Sequence, residues 1–274
     1  MVLQKDLLFV GFWTEIKLEI IRKYASAYSL ILSKQKYIHY VYIDGFCGPG
    51  KHISKNGTRF ISGSPSIALK IDPPFERFYF IDMDPRKLDY LKRHVDDRND
   101  VYCFRGDCNA ILLKEVFPII KYENYMRALC LLDPYGLHLD WQVIRSAGSS
   151  GVIEIFLNFP VADMNRNVFR KRPEKVSKNN IERMNRFRGD ESWRKIAYTK
   201  EETLLGPEES KEDISRVTEA FRHRLLKVAG FKHVPEPLPM RNSKGAIVYY
   251  LFFASWNKTA NKIVEERANE WCFY

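Results

Sequence analysis

Short runs of apolar residues, rich in β-branched and aromatic side chains, recur along the first part of the chain. Each run is too short for an amphipathic helix and is followed by glycine, proline or polar residues, which is typical of a buried strand that ends in a turn. The sequence therefore predicts strands at residues 41–43, 78–81, 101–104, 128–132 and 152–159.

Apolar residues at helical spacing occur between and after these runs. In the stretch 14–33 they include Ile20, Ile21 and Tyr24, and we expect Thr14 to be the N-cap of this helix. Residues 51–63 follow neither period and are predicted to be a loop or lid. Further helices are predicted at 66–71 after Ser64-Pro65, at 86–95 after a cap at Asp84, from 110 onward, at 212–229 and at 257–270.

The order of these elements predicts the fold class. Strands alternate with helices up to residue 159, and the segments 231–240 and 246–255 form a hairpin pattern around a turn at 242–245. We expect an α/β, Rossmann-like, doubly wound sheet of mostly parallel strands, seven in all, with an antiparallel C-terminal hairpin. The chain is predicted to be a single domain, 1–274, with a helical N-terminal extension at 1–36 and a basic, mainly helical insertion at 161–210.

A glycine-rich loop follows the first strand. It consists of Asp44, Gly45, Phe46, Cys47, Gly48, Pro49 and Gly50. Glycine lets the backbone approach a ligand closely, and a carboxylate at a strand tip can accept hydrogen bonds from an ammonium or hydroxyl group. With the helix after Ser64, the loop gives the strand-loop-helix order of a nucleotide-type cofactor site, interrupted by an insertion. A strand-to-turn connection without a ligand is the alternative.

Two further strands end near acidic residues. Asp82 ends the second strand, where a carboxylate of a doubly wound sheet can hold both ribose hydroxyls of an adenine nucleoside; a helix cap is the competing interpretation. Asp107 follows the third strand and can bond an adenine amino group, but Asp107 or Asn109 can equally cap the next helix. The sequence does not separate these roles.

The fourth strand delivers Asp133, Pro134, Tyr135 and Gly136 to the same edge of the predicted sheet. A carboxylate followed by proline and an aromatic ring can hold a flat or amino-bearing substrate against a cofactor there. The same residue types also suit a β-turn, and the two interpretations are compatible. We therefore take Asp133, Pro134 and Tyr135 as candidate catalytic residues.

The charge of the chain points to a polyanionic partner. The formal net charge is +10 and the pI is near 9.3, and much of the excess lies between residues 166 and 188. Phe169, Phe187 and Trp193 are interleaved with it, so phosphate contacts and base stacking can share one surface; a solvated basic helix is the alternative. The residues predicted to bind nucleic acid are Arg170, Lys171, Arg172, Lys175, Arg183, Arg186 and Arg188.

Composition argues against several other classes of protein. The five cysteines include no CxxC pair, which speaks against a zinc knuckle or a disulfide framework. Acidic residues fall one per strand tip, so no metal site is expected and a nuclease is disfavoured. The longest apolar runs are too short to cross a bilayer and the start of the chain lacks a secretory pattern, so a cytoplasmic location without membrane contact is expected.

The glycine loop is similar to the D-x-F-x-G-x-G form of motif I in class I S-adenosylmethionine-dependent methyltransferases. More closely, the chain resembles the three-Cys-motif partner family over most of its length. The landmarks of that resemblance are the helix at 14–33, the block at 42–50, Gly63-Ser64-Pro65, Asp107-x-Asn109, Asp133-Pro134-Tyr135-Gly136 and the block at 249–255.

This resemblance implies a methyltransferase-like fold, S-adenosylmethionine as cofactor and a three-Cys-motif protein as partner. Asp133, Pro134 and Tyr135 stand where amino-methylating members carry Asp/Asn-Pro-Pro-Tyr, but the second proline is missing here and Gly136 follows the tyrosine. By position, the resemblance implies that Asp44, Phe46, Gly48 and Gly50 line the methionine end of the cofactor, Asp82 the ribose and Asp107 the adenine.

Two functional hypotheses follow. The first is an S-adenosylmethionine-dependent methyltransferase that acts on a nitrogen of an RNA or DNA base, with Asp133 and Tyr135 positioning the nucleophile for in-line attack. The second is a non-catalytic Rossmann-like subunit that docks nucleic acid or its partner protein through the basic insertion. The second hypothesis predicts weak or absent cofactor binding.

Overall fold

The computed structural model describes residues 8–54, 57, 59–95, 97–203 and 206–269. Its strands are β1 (Leu8–Val10), β2 (His39–Asp44), β3 (Lys51–Ser54), β4 (Phe60–Ser62), β5 (Arg77–Asp82), β6 (Val101–Arg105), β7 (Met126–Leu132), β8 (Ile153–Phe159), β9 (Tyr198–Thr203), β10 (Gly206–Lys211), β11 (Leu238–Arg241) and β12 (Ile247–Ala254). Its α-helices are α1 (Phe12–Leu32), α2 (Ser64–Ala68), α3 (Pro85–Lys92), α4 (Cys108–Ile111), α5 (Trp141–Ser150), α6 (Val161–Asn167), α7 (Lys178–Arg188), α8 (Trp193–Ala197), α9 (Ile214–Arg224) and α10 (Lys258–Asn269). Both α4 and α9 continue into π-helical turns, Leu112–Val116 and Leu225–Ala229.

Seven of the described strands form one sheet in the order β11-β12-β8-β7-β2-β5-β6. The strands from β8 to β6 run parallel to their neighbours, while β12 is antiparallel to β8 and β11 is antiparallel to β12. The chain starts this sheet at β2, winds outward to β6, returns to β7 and β8, and closes with the hairpin. This order is the class I methyltransferase fold, and it confirms the predicted fold class.

Helices cover both faces of the sheet. Tyr40 and Tyr42 of β2 belong to the core layer under α1, α3 and α10, whereas Val41 and Ile43 belong to the layer under α4, α5 and α9. Because successive side chains of a strand point to opposite faces, a strand buried on both faces needs apolar residues at nearly every position. That requirement explains the continuous apolar runs from which these strands could be predicted.

Helix α1 lies against α10 and α2, and it begins earlier than expected. Gly11 occupies the N-cap position, and the amide of Thr14 donates to the Gly11 carbonyl at 2.9 Å. The prediction that Thr14 is the N-cap was therefore wrong, because Thr14 already lies in the first turn. Neither α1 nor any other helix within the described ranges combines the length and apolar character needed to cross a membrane.

The segment predicted as a loop or lid, 51–63, contains a β-hairpin. β3 and β4 pair antiparallel, with His52 opposite Ile61, and β1 adds to β3 in parallel. The prediction failed because each strand is only three or four residues long. One of its pairing partners also lies far away at the start of the chain, where local periodicity carries no signal.

The predicted basic insertion, 161–210, is helical only in its first part. α6, α7 and α8 are followed by β9 and β10, which pair antiparallel from Tyr198 opposite Lys211 to Thr203 opposite Gly206. Side chains of this segment enter the same core layer as α5 and α9. The insertion is thus anchored by apolar contacts on the side of the sheet that carries α5.

Candidate active site

The carboxyl ends of three neighbouring strands bring predicted aspartates to one edge of the sheet. Asp44 ends β2, Asp82 ends β5, and Asp133 directly follows β7. β2 pairs with both β5 and β7, so the winding direction of the sheet reverses at β2. Ligands of doubly wound sheets bind at such a reversal, beyond the carboxyl ends of the strands.

The glycine loop after β2 has the backbone that its sequence predicts. Gly48 and Gly50 have φ angles of +63° and +75°, which residues with a side chain rarely adopt. A Cβ on Gly48 would meet no atom within 4 Å, so the backbone there borders open space. The start of α2 is tied to this loop, because the Gly63 amide and the Ser66 hydroxyl both donate to the Gly50 carbonyl, at 2.8 and 2.6 Å.

Asp44 is completely buried beneath the loop. Its Oδ1 accepts from the Phe46 amide at 3.2 Å, while Oδ2 has no hydrogen-bond partner within the described part of the chain. Burial raises the pKa of this carboxyl to about 7, although Ser64 and the Phe46 amide oppose the rise. Beyond the Ser64 side chain and the Phe46 amide, Asp44 therefore has acceptor capacity left for a cationic or hydrogen-bond-donating ligand.

Asp82 supports the loop from the neighbouring strand. It is 7% exposed, and its two oxygens accept from the Gly48 amide at 2.9 Å and the Asp84 amide at 2.8 Å. A carboxylate oxygen has a second lone pair, so these bonds leave acceptor capacity for a diol. The cap of α3 is instead Asp84, which accepts from the Arg86 amide at 3.0 Å. The helix cap considered as a role for Asp82 is therefore provided by Asp84 instead.

The two candidates after β6 divide their roles. Asp107 caps α4, because its Oδ1 accepts from the Asn109 amide at 2.7 Å. Asn109 is buried and connects the α4 start to the loop before α5, donating to the His138 carbonyl at 3.0 Å and accepting from the Asp140 amide at 2.8 Å. Asp107 remains exposed at the carboxyl edge, so the capping role leaves its second oxygen available to a ligand.

Asp133 is held by two side chains from distant parts of the chain. The ammonium group of Lys17, on α1, forms an ion pair with Oδ2, and the amide of Asn158, at the end of β8, donates to Oδ1 at 2.5 Å. Lys17 is itself 4% exposed and lies 5.4 Å from the centre of the Tyr249 ring. These two donors, one to each oxygen, fix the orientation of the carboxyl group. Asp133 is therefore a positioned hydrogen-bond acceptor.

Part of the glycine loop, the start of α2 and the Asp133 cluster line one pocket of about 420 Å³, whereas Asp44, Asp82 and Asp107 lie outside its lining. That volume lies within the usual range for small-molecule sites. The described residues contain no cluster of His, Cys, Asp and Glu that could hold a metal ion. Among the pocket-lining residues are Phe46, Gly48, His52, Ser64, Pro134, Tyr135 and Arg166, together with Lys17, Asp133, Asn158 and Tyr249.

Tyr135 and Gly136 form the outer wall of the pocket. Tyr135 is 53% exposed, its hydroxyl accepts from Lys87 Nζ at 3.3 Å, and the same ammonium lies 4.8 Å from the ring centre. Gly136 has a φ of +67°, and a Cβ there would stand 2.7 Å from a carboxylate oxygen of Asp163. The positive φ and the nearby Asp163 side chain thus both favour glycine after the tyrosine.

The predicted nucleic-acid-binding residues fall into two groups. Arg170, Lys171, Arg172 and Lys175 are exposed between α6 and α7. Arg183 lies 3.4 Å from Asp163, and Arg186 lies 2.7 Å from Asp140. The first group can contact phosphate without losing an ion pair to another described residue, whereas Arg183 and Arg186 are already paired with carboxylates.

Arg188 and the interleaved aromatic residues lie inside the protein. Arg188 is 3% exposed, and burial lowers its pKa to about 10. Phe169, Phe187 and Trp193 are also buried. The prediction that these rings form a base-stacking surface was wrong, and Arg188 is removed from the phosphate-contact set, because the apolar face of the insertion packs into the core.

Sequence reasoning missed Lys17, His52 and Asn158 as site residues. A signal for Lys17 was present: it falls at helical spacing with Ile20, Ile21 and Tyr24, so a charged residue stands inside the buried stripe of α1. A lysine in that position requires a buried partner. His52 carried no comparable signal, because its strand was not predicted.

Similar folds are found among solved structures, whereas no family model and no curated protein matches the sequence. A Legionella pneumophila protein is 13% identical, with a TM-score of 0.52 over 91% of this chain and 90% of that chain. The methyltransferase domain of bacterial Hen1 is 13% identical, with a TM-score of 0.42 over 86% of this chain and 99% of that chain. Aeropyrum pernix fibrillarin, solved with natively bound S-adenosyl-L-methionine, is 11% identical, with a TM-score of 0.35 over 85% of this chain and 76% of that chain. At these identities the likeness extends to the fold alone, which is the fold that the strand order defines.

Proposed function

We propose that this chain is an S-adenosylmethionine-dependent methyltransferase that acts on a nitrogen of a nucleic-acid base. The observation that carries the proposal is the single pocket shared by the glycine loop and the Asp133 cluster. One half of such a pocket suits a cofactor and the other half suits an acceptor. Their adjacency is what a direct group transfer requires.

The cofactor half fits S-adenosylmethionine in its polar groups. The unpartnered Oδ2 of Asp44 suits the methionine ammonium, the open space above Gly48 suits close approach of the ligand, and the remaining lone pairs of Asp82 suit the ribose hydroxyls. When bound, S-adenosylmethionine supplies an activated methyl group. Asp107 stands at the end of the neighbouring strand, where an adenine amino group would lie.

The acceptor half positions a nucleophile. Asp133, paired with Lys17 and oriented by Asn158, accepts a hydrogen bond from an N–H group of the acceptor. The half-exposed ring of Tyr135 offers a flat surface against which a base can stack. Together these residues fix the direction of the nitrogen lone pair, and proximity and orientation supply most of the rate enhancement.

The nucleic-acid acceptor is supported by the charge beside the pocket. Arg166 lines the pocket, and the exposed group Arg170, Lys171, Arg172 and Lys175 follows it along the chain. A basic surface continuous with the site would guide a polynucleotide toward Asp133. A base within a duplex would have to be flipped out of the stack to enter the pocket.

Membership of the three-Cys-motif partner family, and a three-Cys-motif protein as partner, are part of this proposal. They rest on the order of motifs from the α1 helix to the block at 249–255. Co-expression with a candidate three-Cys-motif protein, followed by affinity purification of this chain, tests the partner. A stable stoichiometric complex is expected, and separate elution would contradict it.

Calorimetric titration with S-adenosylmethionine tests the cofactor. We expect saturable binding to the wild type and a loss of affinity of about tenfold or more in Asp82→Asn, because a charged hydrogen bond to a ligand contributes on the order of 1.5–3 kcal/mol. Asp84→Asn is the matched control. Asp84 lies two residues away, and asparagine caps a helix as well as aspartate does, so its affinity should equal that of the wild type.

Absence of binding by the folded wild type would contradict the methyltransferase proposal. That result would favour the non-catalytic binding subunit. If binding is found, transfer of a labelled methyl group to bulk RNA or to sheared DNA identifies the acceptor. Labelling of neither pool would contradict the nucleic-acid part of the proposal while leaving the cofactor in place.

A further inference from the structure

His52 lines the pocket but takes no part in the cluster of Lys17, Asp133 and Asn158. It lies on β3, directly after the glycine loop, and lines the same pocket as Lys17 and Asp133. Its Nδ1 is buried and makes no hydrogen bond to the described residues. An unpaired buried polar atom is unfavourable in a folded protein, so an imidazole left in this state at a pocket wall points to a use in ligand chemistry.

The surroundings keep His52 uncharged at neutral pH. Burial lowers the pKa of His52 to about 4; the Lys17 and Lys87 ammonium groups add to this effect, and the Asp133 carboxylate opposes it. A neutral imidazole carries one nitrogen with a free lone pair. Because Nδ1 is enclosed, Nε2 is the ring nitrogen that a bound molecule can reach.

Asp133 is poorly suited to take a proton from the acceptor. Both of its oxygens already receive hydrogen bonds, one from the Lys17 ammonium and one from the Asn158 amide. With the acceptor N–H as a third donor, Asp133 is committed to orienting the nucleophile. A nitrogen that gains a methyl group must nevertheless lose a proton, and another acceptor is needed for it.

We propose that His52 is a further catalytic residue, whose Nε2 accepts the proton that the acceptor nitrogen loses during methylation. This inference rests on the proposed function. The nitrogen–carbon bond forms as the carbon–sulfur bond breaks with its electron pair left on sulfur, and the N–H electron pair stays on nitrogen as the proton moves to Nε2. The proton then passes to solvent, which restores the neutral imidazole.

Steady-state kinetics of His52→Gln test this role, with labelled S-adenosylmethionine and the RNA or DNA pool that the wild type modifies. Glutamine keeps a polar group of similar length but cannot take up a proton. We expect kcat to fall about a hundredfold, with KM and calorimetric cofactor affinity unchanged. In His52→Ala, added imidazole should restore part of the rate. His223→Gln, at an exposed histidine of α9, is the matched control and should behave as the wild type.

Two results would overturn the proposal. One is a His52→Gln variant with wild-type kcat, and the other is a loss confined to cofactor or acceptor affinity, which would indicate a purely structural or binding role. A readout apart from turnover is the ring nitrogen NMR spectrum, in which His52 should remain neutral at pH 5 and shift when the nucleic-acid pool is added. Failure of the proposed function differs from both, because the wild type itself would then transfer no methyl group.

Discussion

Gly48 determines how closely a ligand can approach the end of β2. Its amide donates a hydrogen bond to Asp82 Oδ2, and a Cβ added to it would meet no other atom within 4 Å. The backbone is therefore held in place by Asp82 while its Cα is open to a ligand. A side chain at this position would not disturb the protein's own packing. It would instead occupy the volume that the proposed cofactor needs. A substitution at Gly48 should therefore affect ligand binding more than it affects the stability of the fold.

Gly48→Ala should therefore weaken S-adenosylmethionine binding tenfold or more at a modest cost in stability. The positive φ of +63° disfavours alanine by about 1–2 kcal/mol. Gly245→Ala is the matched control, because Gly245 lies in the β11–β12 turn with a φ of +78°, and a Cβ there would also meet no atom within 4 Å. Thermal unfolding should show similar losses for both variants, and calorimetry should show lost affinity only for Gly48→Ala. Equal cofactor affinity in the two variants would contradict the placement of the cofactor against the loop.

At the scale of elements, the sequence was sufficient to predict the central sheet but not the strands and contacts that surround it. β2, β5, β7 and β8 are buried on both faces, so their apolar runs are unambiguous and their order defines the fold. The β3–β4 hairpin depends on a distant strand, β1, and the Lys17–Asp133 ion pair joins residues 116 positions apart. Pairing and burial of this kind are properties of the assembled fold, which also explains why Phe169, Phe187 and Trp193 were assigned to the surface.

The part of the insertion between α6 and α7 makes its own prediction. Replacing Arg170, Lys171 and Arg172 with alanine should weaken nucleic-acid binding. It should also reduce the slope of log affinity against log salt concentration by about 2–3, because each lost phosphate contact on a duplex removes about 0.9 from that slope. Lys34, Lys36 and Lys258 provide a control triple of exposed lysines away from the pocket. If both triples change affinity and slope equally, the net charge of the protein, and not this segment, is responsible for binding.

At the scale of the whole molecule, a buried glutamate connects helix α1 to two neighbouring strands of the central sheet. Glu154 of β8 accepts hydrogen bonds from the Tyr24 hydroxyl of α1 and from the Ser255 hydroxyl, at 2.8 Å, just after β12. Burial raises the pKa of Glu154 to about 7, although Tyr24, Ser255 and Arg127 oppose the rise. The helix that supplies Lys17 to the pocket is thus attached to the sheet, at the opposite edge, by a group that titrates near neutral pH.

The stability of the fold should therefore decrease as pH rises toward neutrality. The folded-state pKa of Glu154 lies above its unfolded value, so its stabilising contribution is complete below the unfolded pKa, decreases as pH rises, and is lost once pH passes about 7. For a shift from 4.5 to about 7 the change in the free energy of unfolding is on the order of 3 kcal/mol. Asp44 contributes a loss of the same sign, since its pKa is also raised to about 7. His52 contributes a smaller gain over the same range, since its pKa is lowered to about 4.

Glu154→Gln should remove the Glu154 share of this pH dependence, because glutamine resembles the protonated acid at every pH. Denaturant unfolding of the wild type at pH 5 and pH 8 should give a clear loss of stability at the higher pH, and the variant should lose about 3 kcal/mol less. Glu174→Gln, at an exposed glutamate of the insertion, should retain the wild-type dependence. A Glu154→Gln variant with the full wild-type loss would show that the carboxyl is ionised throughout this range, and that its titration does not control how α1 is attached to the sheet.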